Sequence, residues 1–252
     1  MQGTIYPSLK DRAVLVTGGG SGIGEAIVRN FVGQGARVGF IDIDLEASQQ
    51  VLASLPAEAK VHFAHADLRD IAALRAAVGG VREALGPITI LVNNAARDDR
   101  HAIEDVTPDY WDERIAVNLK HQFFAAQAVA PDMIQAGGGA IVNLGSVSWV
   151  LGQGNMPCYT TAKSAIQGLT RALARDLGPS NIRVNSILPG WIMTERQQRM
   201  WLTPEGEAEL MRRQCLKRKL VPDDIARVVL FFAADDSGAC TNQNYIVDGG
   251  WA

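Results

Sequence analysis

Short apolar runs rich in β-branched residues alternate along the whole chain with longer stretches in which apolar residues recur every three to four positions. The runs "AVLVTG" (13–18), "RVGFID" (37–42), "VHFAHAD" (61–67), "ITILVNN" (88–94), "AIVNLGS" (140–146), "IRVNSILP" (182–189) and "QNYIVDGG" (243–250) read as strands. Between them the periodicity predicts helices over 23–34, 45–55, 69–85, 108–136, 156–177 and 222–235. Strand and helix alternating to the end predict an α/β fold, a parallel sheet covered by helices on both faces. No linker, composition shift or internal repeat marks a boundary, so residues 1–252 read as one domain. Only 190–221 breaks the rhythm; it is too long for an ordinary connection and reads as a lid or binding loop.

Composition narrows the function classes. A net charge of −3 and a pI near 5.8 argue against broad attraction to nucleic acid or an anionic membrane. The basic run "RRQCLKRK" (212–219) follows the acidic "TPEGEAE" and reads as a solvated face. Cys158, Cys215 and Cys240 are odd in number and widely spaced, which suits neither a disulfide framework nor a zinc ribbon and fits a reducing cytoplasm. No apolar run is long enough to span a bilayer, and the start "MQGTIYPSLKDR" lacks a signal-peptide core, so a cytoplasmic protein is expected. His62 and His65 fall in one strand at odd spacing, on opposite faces, and His121 lies on a helix; no metal site is expected.

The segment "TGGGSGIG" (17–24) follows the first strand and opens a helix, so backbone N–H groups at a helix N-terminus would face an anion. Gly18, Gly22 and Gly24 are spaced G-x-x-x-G-x-G, and no Lys-Ser/Thr follows, which excludes a P-loop. Asp42, at the end of the second strand, stands where a carboxylate would take hydrogen bonds from an adenosine ribose and repel a 2′-phosphate. No Arg or Lys replaces Ser21 or flanks Asp42, so NAD is expected over NADP. Asp44 is the expected cap of the next helix.

"CYTTAKSA" (158–165) sets Tyr159 and Lys163 four apart on a helix that starts at Pro157 and ends at "GP" (178–179). Ser146 lies thirteen residues upstream, at the C-terminal end of a strand. By itself the pair is open to two readings, packing or acid/base chemistry. Together with "NNAA" (93–96), "VNL" (117–119), "PG" (189–190) followed by Thr194, and "VDGG" (247–250), it makes the whole chain resemble the short-chain dehydrogenase/reductase family. The resemblance implies a single Rossmann-like domain with a seven-stranded parallel sheet, commonly assembled as a homotetramer. It implies Asn118, Ser146, Tyr159 and Lys163 as a catalytic tetrad. Cofactor contacts would come from Gly18, Ser21, Gly22, Ile23, Gly24, Asp42, Asp67, Leu68, Asn94, Ala95, Pro189, Gly190, Ile192 and Thr194, with Tyr159 and Lys163. Asn93 would steady the middle of the sheet. Lys163 is expected to favour the phenolate of Tyr159, whose ordinary pKa is about 10, and to hold the nicotinamide ribose. Ser146 would orient the reacting oxygen, and Asn118 would order a water for proton relay.

Three stretches should border the substrate: "ARDDRHAIED" after Asn94, "VSWVLGQGNMPC" between Ser146 and Tyr159, and the excursion after Pro189. Ser148, Trp149, Asn155, Trp191, Asp98 and His101 are the candidates, with Asp99, Arg100 and Gln153 beside them. Hydrogen-bonding groups next to flat aromatic faces suit a sugar better than a steroid or acyl chain. Within the family, "IYPSLK" (5–10), "DDRH" (98–101), "YWDERI" (110–115), "TPEGEA" (203–208) and "QCLK" (214–217) are similar to bacterial aldose 1-dehydrogenases of the D-xylose type, which oxidise the anomeric carbon to a lactone. Two alternatives stay open: a polyol or secondary-alcohol dehydrogenase or 3-oxoacyl-type carbonyl reductase of the same fold, and an NAD-binding sensor without turnover. "TNQ" (241–243) departs from the family's T-G-Q.

Overall fold

The computed structural model describes residues 3–252. In chain order the elements are β1 (Ala13–Thr17), α1 (Gly22–Gly33), β2 (Arg37–Asp42), α2 (Leu45–Ala53), β3 (Val61–His65), α3 (Ile71–Leu85), β4 (Ile90–Asn93), α4 (Pro108–Ile115), α5 (His121–Gln135), β5 (Gly139–Leu144), α6 (Pro157–Leu177), β6 (Ile182–Pro189), α7 (Glu195–Met200), α8 (Pro204–Arg213), α9 (Pro222–Ala233) and β7 (Asn244–Val247). The seven strands form one parallel sheet in the order β3-β2-β1-β4-β5-β6-β7.

The sheet divides the core because successive strand residues point to opposite faces. Val14 and Val16 of β1, Ile90 and Val92 of β4 and Val142 of β5 pack with Ile27, Phe31, Val229 and Leu230 of α1 and α9. Leu15, Leu91 and Ile141, one residue out of phase on the same strands, pack with Leu74, Val78, Val129 and Met133 of α3 and α5. Both faces are therefore dry, which explains why the strands read as continuous apolar runs rather than alternating ones. Truncating Leu91 or Ile141, each fully buried, to alanine would cost about 2–5 kcal/mol.

Strand order reverses between β1 and β4, which stay paired to their last residues, Thr17 and Asn93, and a cleft opens just beyond these C-terminal ends, the usual ligand position of such sheets. Helix N-termini around it are fixed by side chains: Asp44 accepts from Ala47 N at 3.0 Å, as expected of the α2 cap, and Asp70 caps α3.

Three local features differ from the sequence reading. The helix expected over 108–136 is interrupted by a π-helical turn, Ala116–Lys120, between α4 and α5. The wider turn turns Asn118 fully inward, where its side chain bridges two segments. The excursion 190–221 is not a plain loop; it carries α7 and α8 and returns beside its own start through a bridge between Ile192 and Leu220. Asn242 has φ +64°, the left-handed conformation that glycine adopts freely and asparagine tolerates, which accounts for "TNQ" in place of T-G-Q.

The basic run is neutralised locally, as its block pattern predicted. Arg212 and Arg213 pair with Glu209, Arg218 with Asp224 and Lys219 with Glu207, while Lys217 caps carbonyls at the end of α8. His62 and His65 both lie on β3 at positions of opposite facing, and no cluster of metal-ligating side chains occurs among the described residues. No helix among the described residues is long and apolar enough to cross a membrane.

Candidate active site

A single cleft of about 1730 Å³ runs from the glycine loop, across the C-terminal ends of β1, β4 and β5, to the excursion after β6. That is more than a small ligand alone requires.

At one end the glycines make a backbone cradle. A Cβ on Gly24 would fall 1.7 Å from the carbonyl oxygen of Gly18, and Gly18 itself has φ +68° with Ala95 Cα close above it. Only hydrogen fits at both positions. Asn94 fastens this turn: its amide donates to the carbonyls of Thr17 (3.1 Å) and Gly18 (2.8 Å), while Thr17 Oγ1 accepts from the N–H groups of Asn94 and Ala95. Asn94 therefore shapes the cradle from behind. Ser21 makes no side-chain cap on α1, which leaves the first-turn N–H groups to an anion in the cleft.

Asp42 lines the same end, with Oδ2 accepting from Gly20 N (2.8 Å) and Oδ1 from Asp44 N (2.9 Å). Asp67 and Leu68 form the next wall; Arg69 chelates the Asp67 carboxylate and holds it below the usual carboxylate range. Ile23, Ala95, Pro189, Gly190, Ile192 and Thr194 complete the lining. Thr194 sits over Gly22 and caps α7 through Gln197 N. Asn93 is buried beneath, donating to Asn143 Oδ1 and the Gln122 carbonyl, the steadying place its motif implied.

Midway along the cleft stand Ser146, Tyr159 and Lys163. Lys163 Nζ lies 5.6 Å from the Tyr159 ring centroid, on the same face of α6, and donates to the Leu144 carbonyl at 2.7 Å. Ser146 Oγ accepts from Ser148 N (3.1 Å) and lies near enough to the Tyr159 phenol to favour its ionised form. The electrostatics reverse the expectation for this pair. Burial, aided by the charge of Asp98, pushes Tyr159 up to about 12, against the opposing pull of Ser146 and Arg100. Burial likewise pulls Lys163 down to about 7. Enclosure penalises both charged forms, and it outweighs their mutual attraction at this separation. The protein alone thus holds a neutral phenol.

Asn118, the fourth residue of the expected tetrad, does not line the cleft. Its Oδ1 accepts from Arg97 N (2.9 Å) and its Nδ2 donates to the Arg114 carbonyl (3.0 Å). One acceptor site and one N–H of the side chain are thus used in fixing the loop after β4 to α4.

Of the substrate candidates, Asp98, His101, Ser148, Asn155 and Trp191 reach the cleft. Trp149 does not. Residues 147–153 coil into a turn, with Leu151 N bonded to the Val147 carbonyl and Gln153 N to that of Ser148. That winding sends Ser148 and Leu151 into the cleft and Trp149 to the opposite side, beside Thr160, Thr161 and Ser164. His101 is committed to structure. Its Nε2 accepts from Cys158 N (3.3 Å), so Nδ1 carries the proton, facing the Asp99 carbonyl and the Tyr110 hydroxyl. Asn155 has φ +61° and its carbonyl accepts from His101 N.

Residues with no sequence motif fill the same end. Arg196 and Gln197 of α7 bind Asp98, and Gln197 also accepts from the Trp191 indole at 3.0 Å. Arg100 stacks over Trp201, and Trp251, next to the last residue, packs on Trp191 with ring centroids 6.5 Å apart. Their approach depends on how α7 and the tail fold back, which no local pattern encodes.

Comparison with known proteins agrees with this layout. A family profile described as "Enoyl-(Acyl carrier protein) reductase" matches residues 18–252. A Mycobacterium ulcerans structure titled a short-chain type dehydrogenase/reductase superposes with TM-score 0.91 at 28% identity, covering 97% of this chain and 90% of that one. The chain belongs to the short-chain dehydrogenase/reductase family. Among its relatives in that family, the D-xylose 1-dehydrogenase of Caulobacter vibrioides is 49% identical over 252 residues, the full length of both chains. A Rhizobium meliloti (strain 1021) protein named "Probable galactose dehydrogenase GalD" is 54% identical over 97% of this chain and 96% of its own. A 7α-hydroxysteroid dehydrogenase complexed with NADH and 7-oxo glycochenodeoxycholic acid superposes with TM-score 0.94 at 30% identity, covering 100% of this chain and 98% of that one.

Proposed function

We propose that the protein is an NAD-dependent aldose 1-dehydrogenase, oxidising the anomeric carbon of a pentose, hexose or 6-deoxyhexose to the lactone. One observation carries this reading: Tyr159, Ser146 and Lys163 open onto an end of the cleft where carboxylate, guanidinium, amide and indole groups stand alongside Val147, Leu151 and Met156. A steroid or acyl chain would leave the spare acceptor sites of Asp98 unfilled and shut off from water, whereas a sugar offers hydroxyls to them and C–H faces to the indoles. The full-length relatives named for D-xylose and galactose support the same substrate class.

The glycine cradle and the free N–H groups of α1 fit a pyrophosphate, and Asp42 fits a ribose diol and disfavours a 2′-phosphate. When bound, the nicotinamide accepts the hydride and brings a positive ring beside the phenol. With its own proton first drawn off under that positive charge, Tyr159 takes the proton of the C1 hydroxyl as the phenolate, and Ser146 donates to the reacting oxygen and fixes its direction. Lys163, held by the Leu144 carbonyl, is positioned for the nicotinamide ribose and for passing the proton on. The segment 190–221 acts as a lid, with α7 tied to the loop after β4 by Arg196 and Gln197.

Exposed Phe123 and Ile134 on α5, and edge strand β7 with Tyr245 and Ile246 exposed on its two sides, would supply the contacts of a homotetramer. Light scattering of the purified protein tests that. The activity is tested by NADH formation across a panel of aldoses, polyols and secondary alcohols, with Tyr159→Phe as control. Turnover of polyols or acyl substrates and of no aldose would refute it.

A further inference from the structure

The substrate end of the cleft contains a carboxylate with unused acceptor capacity. Asp98 Oδ2 receives Gln197 Nε2 at 2.6 Å, and Oδ1 receives Arg196 Nε at 3.4 Å. A carboxylate offers about four lone-pair directions, so about two remain. The group is only about one-fifth exposed and lines the same cleft as Tyr159.

Its position is over-determined. Gln197 receives the Trp191 indole N–H on its oxygen and donates from its nitrogen to Asp98, which places an aromatic face and a carboxylate at fixed separation. Trp251 extends the aromatic face, its ring 27° from that of Trp191. The tail that carries it is itself clamped. Asp248 accepts from the N–H groups of Gly250 (2.8 Å) and Ala252 (2.7 Å), and the carbonyls of Gly249 and Gly250 accept from Leu216 and Cys215. Three segments distant in sequence thus converge on one corner.

We propose that Asp98 and Trp251 are the specificity-determining residues of the site: Asp98 accepts hydrogen bonds from two adjacent ring hydroxyls remote from C1 while Trp251 packs on the C–H face of the same ring. The assignment rests on the aldose reading above and names how the sugar is held. An oriented carboxylate beside an indole plane is selective for a neutral vicinal diol on a ring, since each hydroxyl hydrogen bond to a charged acceptor is strong and directional. Open-chain alcohols and apolar rings satisfy only one of the two walls.

The test is a cycle between residue and hydroxyl. The best aldose of the panel and its monodeoxy analogues, lacking one ring hydroxyl each, are assayed with the wild type and Asp98→Asn. The wild type is expected to lose at least 10-fold in kcat/KM on one or two deoxy analogues. Asp98→Asn is expected to lose at least 10-fold on the parent sugar and to discriminate those analogues by less than 3-fold, with KM for NAD within 2-fold of wild type. Trp251→Ala should raise the sugar KM at least 10-fold, and Trp251→Phe should restore most of it. Undiminished discrimination in Asp98→Asn, or an unchanged sugar KM in Trp251→Ala, would overturn the assignment alone. Absence of any aldose turnover by the wild type would overturn the proposed activity and the assignment together.

Discussion

Replacing Lys163 by methionine should stabilise the cofactor-free protein at neutral pH while removing its activity. Lys163 is 2% exposed, and burial draws its pKa from 10.5 to about 7. Between those values the unfolded chain binds a proton that the folded chain does not, so wild-type stability rises with pH across the window from about 7 to 10.5. Each pH unit corresponds to about 1.4 kcal/mol, and the whole window to about 5 kcal/mol. Methionine carries no such penalty, but it leaves the Leu144 carbonyl without its partner at 2.7 Å, a loss of about 1–3 kcal/mol at every pH. The variant should therefore be more stable than wild type by about 2–4 kcal/mol at pH 7 and less stable by about 1–3 kcal/mol near pH 10.5. Urea unfolding of both proteins at pH 7, 8, 9 and 10, without cofactor, measures the difference, in which all other titrations cancel. A difference that stays constant from pH 7 to 10 would refute the claim that this amine is held uncharged by burial.

Other outcomes follow from the same geometry. Because burial and Asp98 hold Tyr159 near 12, the oxidation rate should climb with pH from neutrality into the alkaline range, and Asp98→Asn, by removing a raising charge, should move that limb to lower pH; steady-state kinetics at several pH values reads both. Gly24→Ala, whose Cβ would meet the Gly18 carbonyl at 1.7 Å, should abolish dinucleotide binding measured by calorimetry. Asp42→Asn keeps the shape that bonds Gly20 and lowers the charge, so the ratio of kcat/KM for NAD over NADP should fall at least several-fold. Asn242→Gly should leave the unfolding midpoint nearly unchanged and Asn242→Ala should lower stability by about 1 kcal/mol, since alanine resists φ +64°.

How far the sequence could be read depended on whether a feature was local. The strands were legible because burial on both faces makes them continuous apolar runs, most helices because each buries one periodic face, and the glycine cradle because its conformation is encoded by glycines in order. Tyr159 and Lys163 were legible as a pair, since helical spacing alone aligns them. Their protonation was not, because it depends on how deeply β5 and the loop after β4 enclose them. Trp149 was misplaced for want of the turn at 147–153: Gly152 and Gly154 signal a turn, but not which side chains it sends into the cleft. Trp251, Arg196 and Gln197 escaped notice because their neighbours in space are far off in sequence. Asn242 shows the converse: an exchange without motif value became intelligible once its backbone angle was known.

The π-helical turn at 116–120 amounts to one residue more than a regular helix between Pro108 and Gln135 would hold. Excising a single residue there would let the backbone run straight and satisfy its own ladder, at the expense of the inward twist that ties the neighbouring loop. A shortened chain of that kind would keep its sheet and helices but release from α4 the loop that carries Asp98 and Arg100 to the cleft.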